Sequence, residues 1–215
     1  MNEIALALID HQGKTKAVSE ANTINDKVFD RAKFHQYWIG VNFILPACEK
    51  ICSEHDLSSE KISFITDENP FIPEGHEEIY NRGLLAGLKS DYLIAAHLLI
   101  PQLENSLRHI LYCNGFISSN LTYDAIQEEY TLGKILSLPA LQEMLHNDII
   151  HSLKGLLVER MGSNARNDIC HGLFRSRRFE DGDMAYTWWL ILSLCLAPWR
   201  NQWISNQENS ERSEA

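Results

Sequence analysis

The residues best suited to chemistry lie in Gly162–Phe174, whose sequence is GSNARNDICHGLF. Arg166, Asn167 and His171 bring a guanidinium, an amide and an imidazole into one short stretch. A guanidinium fork matches phosphate oxygens, and an imidazole, with a pKa of roughly 6.5, takes or gives a proton near neutral pH. Because RNA supplies its own nucleophile, the 2′-hydroxyl, this set needs no metal. The three residue types therefore fit metal-independent cleavage of an RNA phosphodiester.

A helix is predicted to position these groups. Gly162 interrupts the chain and Asn164 is a capping residue, so we expect a helix over Asn164–Arg175. Asp168 would lie in or just after its first turn, which suits the positive end of the helix dipole. The same helix start offers backbone N–H groups to an anion.

Helical spacing also predicts which side chains meet. Asn167 and His171 are four residues apart and share a face, and Arg166 lies about 100° round the axis. Its long side chain can still reach the same cleft. The alternative is that Arg166 pairs with an acidic neighbour and His171 is an ordinary helix residue, and spacing alone does not choose between them.

A second pair, Glu104 and Arg108, lies on the clearest helix of the chain. The two residues are four apart, which is typical of an exposed ion pair. They also flank the apolar positions Leu103 and Leu107, so they could reach the cleft and orient Arg166. Both interpretations are open from the sequence.

Arginines are concentrated beside the reactive stretch. Over residues 160–178 one aspartate, Asp168, stands against five arginines, a local charge of +4 in a chain of net charge −10. Arg175, Arg177 and Arg178 are either a solvated turn or a strip that contacts phosphate.

No cofactor or metal is expected. The candidate metal ligands do not have the spacing of a known zinc motif, and no P-loop, dinucleotide fingerprint or serine-hydrolase elbow is present. These candidates are His146, His151, Cys170 and His171.

Composition limits the classes of protein to which the chain can belong. The 215 residues are 45% hydrophobic and 22% charged, which is typical of a globular protein with a real core. The acidic net charge argues against broad coating of nucleic acid. Five cysteines without a C-x-x-C pair predict a reduced, cytoplasmic protein. The apolar run Tyr186–Trp199 is too short to cross a bilayer, so no membrane association is expected.

Most of the chain is predicted to be helical, as an all-α bundle of about five to seven helices. Residues 1–10 fit a strand or a helix, residues 67–75 form a loop, and residues 205–215 are expected to be a disordered tail. A bend is expected at Pro46, and Gly162 should break the chain. The predicted helices are Asp26–His55, a short one from Ser58 or Ser59 to Thr66, Glu74–Leu88, Asp91–Asn114, Leu132–Leu138, Pro139–Met161, Asn164–Arg175 and Met184–Trp203.

Three blocks carry a family resemblance. RNDICHG resembles the R-N-x-x-x-H signature of the HEPN superfamily (higher eukaryotes and prokaryotes nucleotide-binding domains). Together with LLIPQLENSLRHIL, residues 98–111, and LGKILSLPALQEML, residues 132–145, it resembles an uncharacterised, mainly bacterial domain family within that superfamily. The resemblance covers about residues 90–175.

The resemblance implies a HEPN-like core at residues 90–204, preceded by a helical segment at residues 1–89. It implies a homodimer in which two such motifs face each other, acting on RNA as a toxin or in anti-phage defence, with an antitoxin or defence-system protein as a further partner. Arg166 would stabilise the developing charge, His171 would act as general base or acid, and Asn167 would orient one of them. Other members of the superfamily are inactive, so a non-catalytic module that binds nucleotide, RNA or protein is the alternative.

Overall fold

The computed structural model describes residues 7–9, 15–18, 24–121 and 127–214, with side chains for residue 24 and for residues 26–120 and 128–198. The described residues contain ten α-helical segments, six of which have ten or more residues. The predicted all-α class is confirmed. The segments are α1 (Ile24–Ile39), α2 (Leu45–Glu54), α3 (Ser59–Ile62), α4 (Glu77–Leu88), α5 (Tyr92–Cys113), α6 (Leu132–Ile135), α7 (Pro139–Met144), α8 (Asn147–Leu157), α9 (Ala165–Cys170) and α10 (Gly182–Glu214).

Two small antiparallel ladders accompany the helices. β1 (Ala7–Ile9) pairs with β2 (Thr15–Val18), and β3 (Ser119–Leu121) pairs with β4 (Gln127–Glu129). Within residues 1–10, which fitted either a strand or a helix, the described part is the strand β1. Short 3-10 turns lie at Ser63–Ile65 and Ser176–Glu180.

α5 is the centre of the core. Its predicted extent, Asp91–Asn114, agrees with the observed helix because both ends have local signals. The Asp91 carboxylate accepts a hydrogen bond from the Ile94 N–H at 3.1 Å. Apolar side chains at intervals of three and four residues then give one buried face. The most deeply buried of them are Leu99, Leu103, Leu107 and Leu111, each at most 1% exposed.

α4 packs along α5, and α10 packs against α1, α4 and α5. The Trp188 indole of α10 donates a hydrogen bond to the Leu84 carbonyl of α4 at 3.1 Å. The part of α10 whose side chains the structure describes, residues 182–198, therefore packs mostly into the core, although Trp189 is 40% exposed. No helix in the described part of the chain has the length and apolarity needed for a bilayer span.

The sequence predicts a bend at Pro46. The structure has a π-helical turn just before the proline, Gly40–Ile44, which joins α1 to α2. Proline has no N–H to donate, and a widened turn accommodates that loss within a continuous helix. A Cβ at Gly40 would lie 1.9 Å from the Gly182 carbonyl oxygen, so this turn contacts the α10 backbone directly.

Six predicted helix ranges differ from the structure. Three have one displaced end: α4 begins at Glu77 and not Glu74, α3 ends at Ile62 and not Thr66, and α6 ends at Ile135 and not Leu138. The other three differ more. Pro139–Met161 is two helices, because Leu145 is extended and the His146 side chain accepts the Asp148 N–H to begin α8. Asn164–Arg175 is shortened to α9. α10 is longer than predicted and runs through residues 205–214, which were expected to be a disordered tail. Glu, Gln and Arg in that stretch are good helix formers.

Candidate functional site

Close backbone contact fixes the start of α9. The Ser163 N–H donates to the Gly155 carbonyl at 2.8 Å, and a Cβ at Gly162 would lie 1.9 Å from that same oxygen. Asn164 takes the left-handed conformation, with φ of 51°, instead of the extended conformation of a usual N-cap. The break predicted at Gly162 is therefore a direct contact between α8 and the turn that leads into α9.

The end of α9 explains why the helix is shorter than predicted. Gly172 has φ of +66°, its N–H donates to the Ile169 carbonyl, and the Leu173 N–H donates to the Asp168 carbonyl. This is a Schellman motif, which satisfies the last carbonyls and stops the helix. His171 is thus the C-cap residue of α9 instead of lying in its interior.

A buried carboxylate holds Arg166. Glu104 of α5 is 7% exposed, and its Oε2 accepts hydrogen bonds from Arg166 Nε at 3.3 Å and Nη2 at 3.2 Å. Its Oε1 accepts from Arg108 Nη2 at 2.6 Å. One buried carboxylate therefore bridges two arginines, and the predicted contact of Glu104 with Arg166 is present in the structure.

Arg108 extends this network to the second ladder. Its Nη2 also donates to the Tyr130 carbonyl at 2.9 Å, and its Nε lies 3.5 Å from the Glu129 carboxylate. This series of ion pairs contains two acidic and two basic side chains, so its net charge is zero. Its members are Glu129, Arg108, Glu104 and Arg166. Arg108 contacts Glu104 and not Arg166, so within this series it is Glu104 that orients Arg166.

Asn167 is a partner of Arg166 and of the turn before α9. Arg166 Nη1 lies 3.5 Å from Asn167 Oδ1. The Asn167 amide donates to Asn164 Oδ1 at 2.7 Å and lies 3.4 Å from the Val158 carbonyl. Asn164 in turn donates to Asp168 Oδ1 at 3.0 Å. Asn167 is therefore fixed in place with its carbonyl oxygen turned towards the guanidinium.

His171 is exposed at the end of α9. Its backbone N–H donates to the Asn167 carbonyl at 3.1 Å. Its imidazole makes no hydrogen bond or ion pair with any residue that the structure describes. The structure thus brings Arg166 and Asn167 together and leaves the His171 ring one turn away, open to a ligand or to another chain.

The three arginines that follow have different environments. Arg178 pairs with Asp181 at 3.0 Å and with buried Asp183 at 3.1 Å, and its guanidinium lies 5.0 Å from the centre of the Phe174 ring. Arg175 and Arg177 are exposed. The predicted phosphate-contact strip therefore has two accessible members, because the charge of Arg178 is already compensated.

Asp183 was not predicted and anchors the site to α10. Its Oδ2 accepts from Ser163 Oγ at 2.5 Å as well as from Arg178. It is 2% exposed and ties the turn before α9 to the first turn of α10. The only signal in the sequence is an acid directly after Gly182 at a helix start, which many helices share.

Burial also shifts the pKa of Asp181, the other acidic partner of Arg178. The pKa of Asp181 is raised above its usual value, chiefly because burial disfavours the charged form, and the neighbouring Asp183 adds to this effect. The Arg178 guanidinium acts in the opposite direction.

The candidate metal ligands are dispersed. Among the described residues no group of three His, Cys, Asp or Glu side chains is placed to hold a metal ion. His151 stacks on Phe29 with ring centroids 4.4 Å apart, and His146 pairs with Asp148 at 3.3 Å. Both histidines thus have structural partners.

Comparisons of the chain with known protein families, with curated proteins and with solved structures find no match. The function must therefore be argued from the site itself.

Proposed function

We propose that the protein is a metal-independent endoribonuclease of the HEPN type, with Arg166, Asn167 and His171 as its reactive groups. The observation that carries the proposal is the setting of Arg166. Two of its nitrogens are anchored on Glu104, its Nη1 faces Asn167, and its side chain remains 28% exposed. A guanidinium held in advance needs little reorganisation when charge develops on a phosphate beside it.

The proposed reaction is an internal transfer. The RNA 2′-hydroxyl attacks the adjacent phosphorus, the bond to the 5′-oxygen breaks, and the products are a 2′,3′-cyclic phosphate and a 5′-hydroxyl. Arg166 stabilises the charge on the phosphorane oxygens, and Asn167 orients the guanidinium. His171 either accepts the 2′-proton or protonates the leaving 5′-oxygen.

One imidazole carries out one of these proton transfers at a time. The HEPN resemblance implies that His171 of a second copy performs the other across a two-fold axis. The exposed position of His171 at the end of α9 is compatible with this arrangement. Toxin–antitoxin or anti-phage defence is the biological setting that the same resemblance implies.

A non-catalytic module that binds RNA, nucleotide or protein is the second candidate, and one observation favours it. The charge of Arg166 is compensated by Glu104, so the guanidinium has a structural role even without a substrate. In this case Arg175 and Arg177 would supply the exposed cationic contacts.

Cleavage of RNA in EDTA separates the two candidates. The wild-type protein is expected to produce 2′,3′-cyclic phosphate ends, and His171→Ala is expected to lose about 10²- to 10⁴-fold in rate. His55→Ala is the matched control, because His55 is also an exposed histidine at a helix C-cap. Equal cleavage by wild type and His171→Ala would refute the proposal. Binding of RNA without cleavage by either protein would favour the second candidate.

A further inference from the structure

A cavity of about 470 Å³ lies where the end of α5 meets the second ladder, and its volume is within the range of small-ligand sites. Its lining combines exposed apolar side chains with one carboxylate. Tyr112 and Ile117 are each 78% exposed, Phe116 is 40% exposed, and Glu129 supplies the carboxylate. A single exposed apolar residue is ordinary, but three around one cavity indicate a binding surface. It is named here the 112–129 cavity, after the first and last of its lining residues.

A Schellman motif at the end of α5 fixes the aromatic side of this cavity. The Phe116 N–H donates to the Leu111 carbonyl at 2.9 Å. The Gly115 N–H donates to the Tyr112 carbonyl at 2.9 Å, and Gly115 has φ of +80°. The chain therefore reverses direction directly after the helix, which brings Phe116 beside its last turn. Both aromatic residues thus project from a backbone that is held in place before any ligand binds.

The cavity lies on the same face of α5 as the group that holds Arg166. Glu104, Arg108 and Tyr112 follow one another at intervals of four residues, so each lies one helical turn beyond the last. Arg108 donates to Glu104, which holds Arg166, and its Nε lies 3.5 Å from the Glu129 carboxylate in the cavity. The helix rises about 12 Å from Glu104 to Tyr112. A stacked strand covers that distance in about three or four nucleotides, at roughly 3.4 Å each.

We propose that the 112–129 cavity binds a guanine base of single-stranded RNA, a few nucleotides away from the phosphate that contacts Arg166. Unpaired bases are held by stacking on exposed aromatic side chains, which Tyr112 and Phe116 provide. Stacking accepts every base, because every base has a π-face, so it supplies affinity without a choice of sequence. The inference rests on the proposed function in one respect, namely that RNA is the ligand.

The Glu129 carboxylate supplies the choice of base. Its Oε2 lies 3.4 Å from Ser118 Oγ and 3.5 Å from Arg108 Nε, which orient the group, and the side chain remains 57% exposed. An ionised carboxylate only accepts hydrogen bonds. Guanine presents two adjacent donors, N1–H and the N2 amino group, on its Watson–Crick edge, and these match the two carboxylate oxygens. Adenine and cytosine present an amino group beside an acceptor nitrogen, and uracil presents one N–H between two carbonyl oxygens, so uracil fits least well.

Binding of two labelled RNAs to the full chain tests the proposal by fluorescence anisotropy. The RNAs are an oligouridine and the same oligomer with one central guanine, and the protein carries His171→Ala so that the RNA stays intact. We expect the guanine-containing RNA to bind at least about 5-fold more tightly, and Glu129→Gln to reduce this ratio to within about 2-fold. Tyr112→Ala should weaken binding of both RNAs at least about 5-fold, whereas Tyr112→Phe, which keeps the ring, should bind within about 2-fold of the parent protein. Circular dichroism shows whether each variant is folded.

Glu128→Gln is the matched control, because Glu128 is the exposed neighbour of Glu129 on β4 and its side chain points to the opposite face of the ladder. It should keep the guanine preference. Since the loss of a negative charge favours any RNA, the ratio of the two affinities is the readout. Equal affinity for the two RNAs, or a ratio that Glu129→Gln leaves unchanged, would overturn the inference. Cleavage in EDTA without guanine preference would overturn it while the proposed function stands, whereas guanine-dependent binding without cleavage by the wild type would support this site and refute the ribonuclease.

Discussion

Arg166 lies 3.2 Å from Glu104, although the two residues are 62 positions apart in the chain, and this pair joins α9 to the central helix of the core. The carboxylate is 7% exposed and also accepts from Arg108. Because burial of a charge is costly unless it is paired, Glu104 and the two arginines depend on one another.

We therefore expect Glu104→Gln to lower the free energy of unfolding by about 2 kcal/mol, because it removes the buried counter-ion of Arg166 and leaves Arg108 with only the exposed Glu129. Urea unfolding of the purified variant measures the change. Glu129→Gln is the control, since Glu129 contacts Arg108 at 3.5 Å but its side chain is 57% exposed, and its effect should stay below about 0.5 kcal/mol. Equal effects of the two substitutions would contradict the central role of Glu104.

Two glycines that border α9 should respond differently to alanine. At Gly162 the added Cβ would meet the Gly155 carbonyl oxygen at 1.9 Å, and a backbone oxygen cannot turn aside, so we expect a loss of about 3 kcal/mol. At Gly172 nothing lies within 4 Å of the added Cβ, and the cost is the left-handed backbone alone, about 1 kcal/mol. Urea unfolding of both variants checks this order, and a reversed order would show that the turn before α9 relaxes easily.

The five cysteines are expected to divide into two classes. Cys52, Cys113 and Cys170 are exposed, whereas Cys48 and Cys195 are buried. Burial raises the pKa of Cys195 to about 12 and also raises the pKa of Cys48, so both remain unreactive thiols. Ellman's reagent at pH 8 should react quickly with three thiols in the native protein and with five in urea. Cys170→Ser should remove one fast-reacting thiol, and five fast-reacting thiols in the native state would contradict the buried positions.

Local signals explain what could be predicted from the sequence. α5 was predicted to within one residue at each end, because Asp91, Asn114 and the apolar spacing all act within a few residues of the helix. The predicted range of α9 is too long, because the end of the helix depends on the left-handed backbone conformation of Gly172. Glycine permits this conformation but does not require it. His171 was accordingly placed inside a helix, although it is the residue that ends one.

Contacts between distant segments were harder to predict. The position of Glu104 beside the apolar face of α5 allows it to reach Arg166, but it does not exclude an exposed ion pair with Arg108, and only the packing of α9 against α5 decides between them. The pairing of Arg178 with Asp183, and of Asp183 with Ser163, depends on how the first turn of α10 packs against the turn before α9. No local pattern encodes that packing, so the sequence makes Arg178 a candidate for either a solvated turn or a phosphate contact and does not single out Asp183.

Asp181 gives a prediction about pH. Its pKa is raised in the folded protein, chiefly by burial, so the folded state binds a proton at a higher pH than the unfolded state does. Ionised Asp181 therefore opposes folding at pH 7, and this penalty disappears as the pH falls through the folded pKa. Asp181→Asn, which removes the charge, should equal or exceed the wild type in stability at pH 7, by less than about 1 kcal/mol because the side chain is 39% exposed and also pairs with Arg178.

The difference between Asp181→Asn and wild type should vanish near pH 3, below the unfolded pKa of about 3.9, where the aspartate is largely protonated in both states. Urea unfolding at pH 7 and at about pH 3 measures it. Asp56→Asn, which removes a carboxylate that is 98% exposed and pairs with Lys61 at 3.5 Å, controls for the loss of one negative charge from an acidic protein. A variant less stable than wild type at pH 7, with the difference closing near pH 3, would show that the ion pair with Arg178 outweighs burial, and the sign of the prediction would be wrong.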